Sequence, residues 1–311
     1  MPESVSVATY NLYLGADLSI VLGERPQDEL VANHAEVKRQ LLATAFPERA
    51  RYVARSIAER RVDLVGLQEV CCWSVSEQQV WDFTEILLDA LRDCGEDYEV
   101  VSEVATFSGD GVLPPEAPGD ATLPVALKGS NVVLRRVASA VRVTDEGHGL
   151  FETALGLHSF NEQWVAIARG WCGVRCEVGG LAFAFVDTHT EAYDPGSRNR
   201  QRDELMAACD RWRDDPMLLV GDFNAPPEQV GMPPGMVDAW SINDGDPGYT
   251  CCQAGDLRNE DSLLHERIDY VWVRGARVRS AELLGADRSL RDAAGMWPSD
   301  HAGVHAVVEL D

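Results

Sequence analysis

The residues most able to do chemistry in this chain are polar side chains at the ends of apolar runs. Asp222 and Asn224 close the uncharged run 217–221 and stand just before Pro226-Pro227, which allow neither further ladder bonding nor an immediate helix. Their alternation about Phe223 predicts, for an extended chain end, two polar groups on one side. A carboxylate and a carboxamide fixed there can orient a water, a phosphate oxygen or a metal. Glu69 follows the apolar run 62–67 and Gln68, and a carboxylate at such a place is costly to bury unless paired or coordinated. Asn11 follows residues 5–10, and His189 closes the run 183–188. Asp269 lies within the otherwise apolar 267–273, where it must accept hydrogen bonds, and a histidine is a common partner. Asp300-His301 opens the last run and offers a carboxylate and an imidazole to one ligand. His301 is the side chain best poised for proton transfer near neutral pH. Taken singly, each residue also fits an ordinary turn or a satisfied rim position.

The elements that must position these groups follow from hydrophobic periodicity. Strands are expected at 5–10, 62–67, 98–105, 217–221, 267–273, 276–284 and 303–309. Segments 131–134 and 138–143 read as a hairpin pair, and 164–178 with 181–188 as a hairpin turning at Gly179-Gly180. Helices are expected over 27–60, in two pieces broken near Pro47, and over 77–93 and 197–213. Residues 108–129, rich in Gly, Pro and Asp, read as a long irregular loop. No repeat or linker divides the chain, so 1–311 is expected to form a single α/β domain, a β-sandwich flanked by helices.

Charge narrows the partner. With 51 acidic against 27 basic residues, the formal net charge is −24 and no basic stripe is visible. Such a field repels nucleic acid and anionic membranes unless a cation intervenes. No apolar run approaches the roughly 20 residues of a transmembrane helix, and a strand pattern begins at once, without a basic leader. A cytoplasmic protein is expected. Eight cysteines in adjacent pairs, helical patterns and one strand-like segment match no zinc spacing, and reduced, buried thiols are expected.

Asn11, Gln68-Glu69, Thr188-His189, the run 221–224, the run 267–270 and Ser299-Asp300-His301 together resemble, in order, the endonuclease/exonuclease/phosphatase superfamily, the deoxyribonuclease I-like group that includes neutral sphingomyelinases and inositol-polyphosphate phosphatases. The likeness spans residues 5–309, with 12–60 and 108–129 longer than the family's minimal core. It implies a four-layer α/β/β/α sandwich of two mixed β-sheets flanked by helices, and divalent-metal-dependent hydrolysis of a phosphoester. Glu69, Asn11 and Asp300 would then hold Mg2+ or Mn2+, hard cations suited to oxygen donors. His301, Asp222, Asn224, His189 and Asp269 would be the catalytic group, and Asn131 would approach the phosphate. The acidic balance favours a small-molecule or lipid-headgroup phosphodiester or phosphomonoester. A magnesium-dependent nuclease using a local basic segment (198–202 or 274–279) is the alternative, and a non-hydrolytic binding or metabolite-modifying protein a more remote one.

Overall fold

The computed structural model describes residues 3–21, 26–75, 79–113, 123–158 and 164–311. The chain opens with β1 (Glu3–Asn11), α1 (Gln27–Thr44), α2 (Phe46–Ala58) and β2 (Leu64–Val75). Next come β3 (Gln79–Asp82), α3 (Phe83–Asp93), β4 (Tyr98–Leu113) and β5 (Leu123–Arg136). The middle holds β6 (Arg142–Leu150), β7 (Leu155–His158), β8 (Trp164–Ile167), β9 (Gly170–Val178) and β10 (Leu181–His189). After α4 (Pro195–Cys209) come β11 (Met217–Asp222), α5 (Pro227–Val230) and β12 (Val237–Asp238). The last strands are β13 (Asp269–Arg274), β14 (Arg277–Leu284) and β15 (Gly303–Leu310).

Seven strands form one mixed sheet, ordered β14-β15-β1-β2-β5-β4 with β3 paired to β2. Six form the second, ordered β12-β13-β11-β10-β9-β6, and β7-β8 pair apart from both. Every residue of β11 is buried, as a strand covered on both faces requires. Between the sheets lie Val7, Leu64, Val133, Phe185, Val220, Val271 and Val304. On its outer face the first sheet packs through Ala8, Tyr10 and Leu67 against Leu41 of α1, Val53 and Ile57 of α2, and Leu87 of α3. The second sheet packs its outer face through Ala184, Val186 and Leu219 against Leu205 and Cys209 of α4. Helix, sheet, sheet and helix therefore stack as four layers, the architecture expected. Among the described residues no helix is long and apolar enough to cross a membrane.

Several expected boundaries move, each for a local reason. Residues 77–93 are not one helix. Gln79–Asp82 pairs with β2, and Asp82 then caps α3 by accepting from the Thr84 and Glu85 N–H groups. The two pieces of 27–60 break at Ala45, in left-handed backbone, and Pro47 sits in the first turn of α2, where its missing N–H costs nothing. Much of 108–129 is strand, because β4 and β5 pair antiparallel through Leu113 and Leu123; only 114–122 lies outside the described residues. The expected pairing of 131–134 with 138–143 fails: β5 belongs to the first sheet and β6 to the second. The β9–β10 hairpin is as expected, with both Gly179 and Gly180 at positive φ, a turn that side chains resist. Its first arm is shorter, because β8 is a separate strand paired with β7. Cys251 and Cys252 are paired with each other; the other six cysteines are free, Cys71, Cys172, Cys176 and Cys209 buried as expected but Cys72 half-buried and Cys94 exposed.

Candidate active site

Strand register gathers the polar ends. In the second sheet His189 is the lateral partner of Asp222, and Asp222 that of Asp269, so three adjacent strands present these side chains in a row. Asn11 ends β1 in the facing sheet, and its Nδ2 donates to Asp222 Oδ2 at 3.0 Å, bridging the layers. The same carboxylate oxygen lies 3.5 Å from His189 Nε2 and 3.9 Å from His301 Nε2. His301 arrives from the turn before β15, and its Nδ1 lies 2.8 Å from Asp269 Oδ2. Ligand-capable atoms of Asp222, Asp269 and His301 all fall within 4.8 Å of one another. Asn11, His189, Asp222, Asp269 and His301 are all buried, and Asp269 Oδ1 is left without a hydrogen-bond partner among the described residues.

The backbone is bent where these groups are presented. Glu69 does not end a strand, as the apolar run suggested. It sits in a bulge midway along β2, where the pairing with β5 shifts register between Leu67 and Val70, at a φ of 53°. A bulge re-aims one side chain without ending the ladder, and here the Glu69 carboxylate accepts the Leu14 N–H at 2.7 Å. Gly221 has a φ of 145°, and a Cβ there would stand 2.0 Å from the Thr188 carbonyl oxygen, so only glycine fits just before Asp222. Asn224 is left-handed, at a φ of 47°, rather than extended. Its backbone N–H bonds to Asp222 Oδ1 and its Nδ2 to the Thr190 carbonyl, so it fixes the turn instead of lying parallel to Asp222.

Charges are set against one another. Burial, reinforced by Asp269, lifts the Asp222 carboxyl to about 7. Asp300, partly open to solvent, is raised to about 6; burial of its carboxyl is the main cause and Glu69 adds to it, while His301 opposes the rise. Burial alone would depress His301, but Asp269, Asp300 and Asp222 outweigh it and hold the imidazole well above its ordinary value. His189 is driven well below its ordinary value by burial, by Arg169 and by His301. One imidazole is thus favoured as a cation and the other as a neutral ring.

Sequence reasoning missed three participants. Asp187, fully buried two residues before His189 on the same strand face, accepts from the Gln68 side-chain amide, and Gln68 also bonds Thr9. Asn131 is buried beside it, with its side-chain amide close enough to the Asp187 carboxyl to favour its charged form. The period-two spacing of Asp187 and His189 was the available signal. Arg169, between β8 and β9, brings Nη1 within 3.2 Å of His189. Cys251 forms isolated bridges with both Glu266 and His301, a contact no linear spacing reveals.

Glu69, Asn11 and Asp300 offer only oxygen and amide donors. Glu69 is close enough to Asp300 to help raise its carboxyl, the pattern that a hard cation relieves. These residues therefore fit a divalent metal, although Asn11 already spends Nδ2 on Asp222 and Oδ1 on the Tyr13 N–H.

Comparison with known proteins agrees with this fold. Solved structures that share the fold include an endonuclease/exonuclease/phosphatase family protein from Bacteroides thetaiotaomicron, with 17% identity and a TM-score of 0.62 over 100% of this chain and 99% of that one. A mannosyl-6-phosphatase of the same organism aligns at 18% identity and TM-score 0.59, covering 98% of this chain and 99% of its own. TDP2 from D. rerio, complexed with a single-strand DNA product, aligns at 14% identity and TM-score 0.59 with the same coverage. No curated protein matches the sequence. The sequence profile of the Endonuclease/Exonuclease/phosphatase family matches residues 8–301, nearly the whole chain, and the chain belongs to that family.

Proposed function

We propose that this chain is a divalent-metal-dependent phosphoester hydrolase, acting as one domain on a small-molecule or lipid-headgroup phosphodiester or phosphomonoester. The observation that carries the reading is the meeting of Asn11, His189, Asp222 and His301 around one carboxylate oxygen at the rim of the two sheets. A phosphoryl transition state spreads negative charge over its equatorial oxygens, so positioning and charge neutralisation dominate the rate. Asp222 takes the proton of the attacking water, a task suited to a carboxyl held near 7. His301, oriented by Asp269, donates from Nε2 to a phosphoryl oxygen, and neutral His189 donates to a second. Arg169 adds permanent positive charge beside His189, and Asn131, buried beside Asp187, is the further amide assigned to the phosphate. Mg2+ or Mn2+, when bound by Glu69 and Asp300 with Asn11 beside them, supplies Lewis-acid polarisation of the phosphoryl group.

The basic segments that a nuclease would use are already engaged. Arg198 donates to the carbonyls of Glu191, Ala192 and Asn224, while Arg277 and Arg279 pair with Glu309. Together with the net charge of −24, this favours a small substrate over nucleic acid. A panel of phosphomonoesters, phosphodiesters and supercoiled plasmid, assayed with magnesium and with chelator, tests the reading. Turnover of a small phosphoester that chelator abolishes supports it. Chelator-insensitive turnover, or none on any phosphoester, overturns it.

A further inference from the structure

Arg49 on α2 is a fully buried cation with no ion pair among the described residues. Instead, its planar fork is spent on backbone carbonyls. Nε donates to Thr44 at 2.7 Å, Nη1 to Leu12 at 2.7 Å and to Pro298 at 2.8 Å, and Nη2 to Tyr13 at 3.0 Å. Its guanidinium also stands 5.0 Å from the Phe46 ring centroid and 5.6 Å from that of Tyr13. Burying a charge is costly; these carbonyls replace its water, and the field of Asp300 and Glu69 adds to their effect.

The carbonyls come from three distant segments, and two of them carry site residues. Leu12 and Tyr13 follow Asn11, and the next residue, Leu14, gives its N–H to Glu69. Pro298 precedes Ser299, whose hydroxyl donates to the Asn11 carbonyl and accepts the His301 N–H. Thr44 closes α1, and its hydroxyl holds the Gly15 carbonyl. One side chain therefore ties the segment that orients Glu69 to the turn that carries Asp300 and His301.

We propose that Arg49 is a positioning residue of the metal site, whose five-donor fork fixes the separation of Glu69 from Asp300. This rests on the metal-dependent reading of that site. A lysine would keep the charge but present a single ammonium with three donors, too few for four carbonyls.

The test is magnesium titration by calorimetry, without substrate, on wild type, Arg49→Lys and Arg49→Gln, with thermal unfolding followed alongside. Loss of ligand-orienting contacts typically weakens metal binding roughly 10- to 100-fold. That loss is expected for Arg49→Lys, with kcat recovering as magnesium is raised. Arg49→Gln, which carries no buried charge, keeps the test open if Arg49→Lys fails to fold; losing a nearby cation would by itself tighten magnesium binding, so weaker binding there again reports lost positioning. Wild-type or tighter magnesium affinity in whichever of the two variants folds would leave Arg49 a stability residue alone and overturn the inference. Absence of magnesium binding by wild type would instead remove the metal-dependent reading, and this inference with it.

Discussion

Replacing Asp222 with Asn should move stability and activity in opposite directions. Asp222 is held near 7, against an ordinary 3.8, by burial and by Asp269. A raised carboxyl favours the folded chain most fully where it is protonated in both states, and that advantage is lost as pH rises from about 4 towards about 7. At roughly 1.36 kcal/mol per pH unit, ionised Asp222 costs the metal-free protein on the order of 4 kcal/mol at pH 8. Asn removes that charge, but its new N–H₂ must face either Asn11 Nδ2 or the Asn224 N–H, both donors to the present carboxylate. Such a conflict costs about 1–3 kcal/mol.

Metal-free Asp222→Asn should therefore be roughly 1–3 kcal/mol more stable than wild type near pH 8. By about pH 4 to 5, where wild-type Asp222 is already protonated, the difference should vanish or reverse. Turnover should meanwhile fall on the order of 10²–10⁴-fold, the range for loss of a positioned base. Urea unfolding of the chelated protein at the two pH values, beside steady-state kinetics with magnesium, reads both effects. A variant destabilised equally at both pH values would show that Asp222 carries no strained charge. Activity kept within tenfold would remove it as the base.

Further outcomes follow from the same geometry. Glu69→Gln should sharply reduce turnover and weaken magnesium binding in calorimetry, while the Leu14 N–H keeps an oxygen acceptor; an unchanged magnesium response would take Glu69 out of the site. His301→Ala should cost roughly 10²–10³-fold in kcat if its Nε2–H stabilises the developing charge on a phosphoryl oxygen, and a loss below tenfold would remove it from that role. Asp269→Asn should lower the His301 pKa, because one of the carboxylates that raise it is gone, and histidine NMR titration would show the fall; an unmoved His301 would show that Asp300 and Asp222 suffice. Gly221→Ala should destabilise the fold by several kcal/mol, since its Cβ would overlap the Thr188 carbonyl; a thermal midpoint within a degree or two of wild type would contradict the clash.

What the sequence disclosed, and what it hid, divides along a physical line. Buried strands announce themselves because both faces select aliphatics, so the runs ending in His189 and Asp222 were legible along with the groups they present. Backbone bending is not written in that pattern. Nothing in the linear order of Gln68 and Glu69 distinguishes a strand end from a bulge, yet the bulge aims Glu69 at Leu14. Asn224 looked extended beside Asp222, but a left-handed φ turns its amide to Thr190. Glycine- and proline-rich composition suggested a loop at 108–129, whereas at 108–113 and 123–129 the partner strand satisfies the backbone and composition is overruled.

Contacts between distant segments were the least accessible. Arg49 reads as one more helix arginine until the α1–α2 junction, the segment after β1 and the turn before β15 converge on it. Its neighbours on α2, Ala50, Val53, Ala54 and Ile57, are buried by simple helical periodicity. Periodicity assigns a face to a residue, but it does not show that a charge on that face replaces its hydration with carbonyls from elsewhere in the chain. The region 12–60, which looked like an insertion on the family core, thus supplies the clamp behind the site. Length beyond a minimal fold can support the chemistry through backbone contacts rather than through groups of its own at the site.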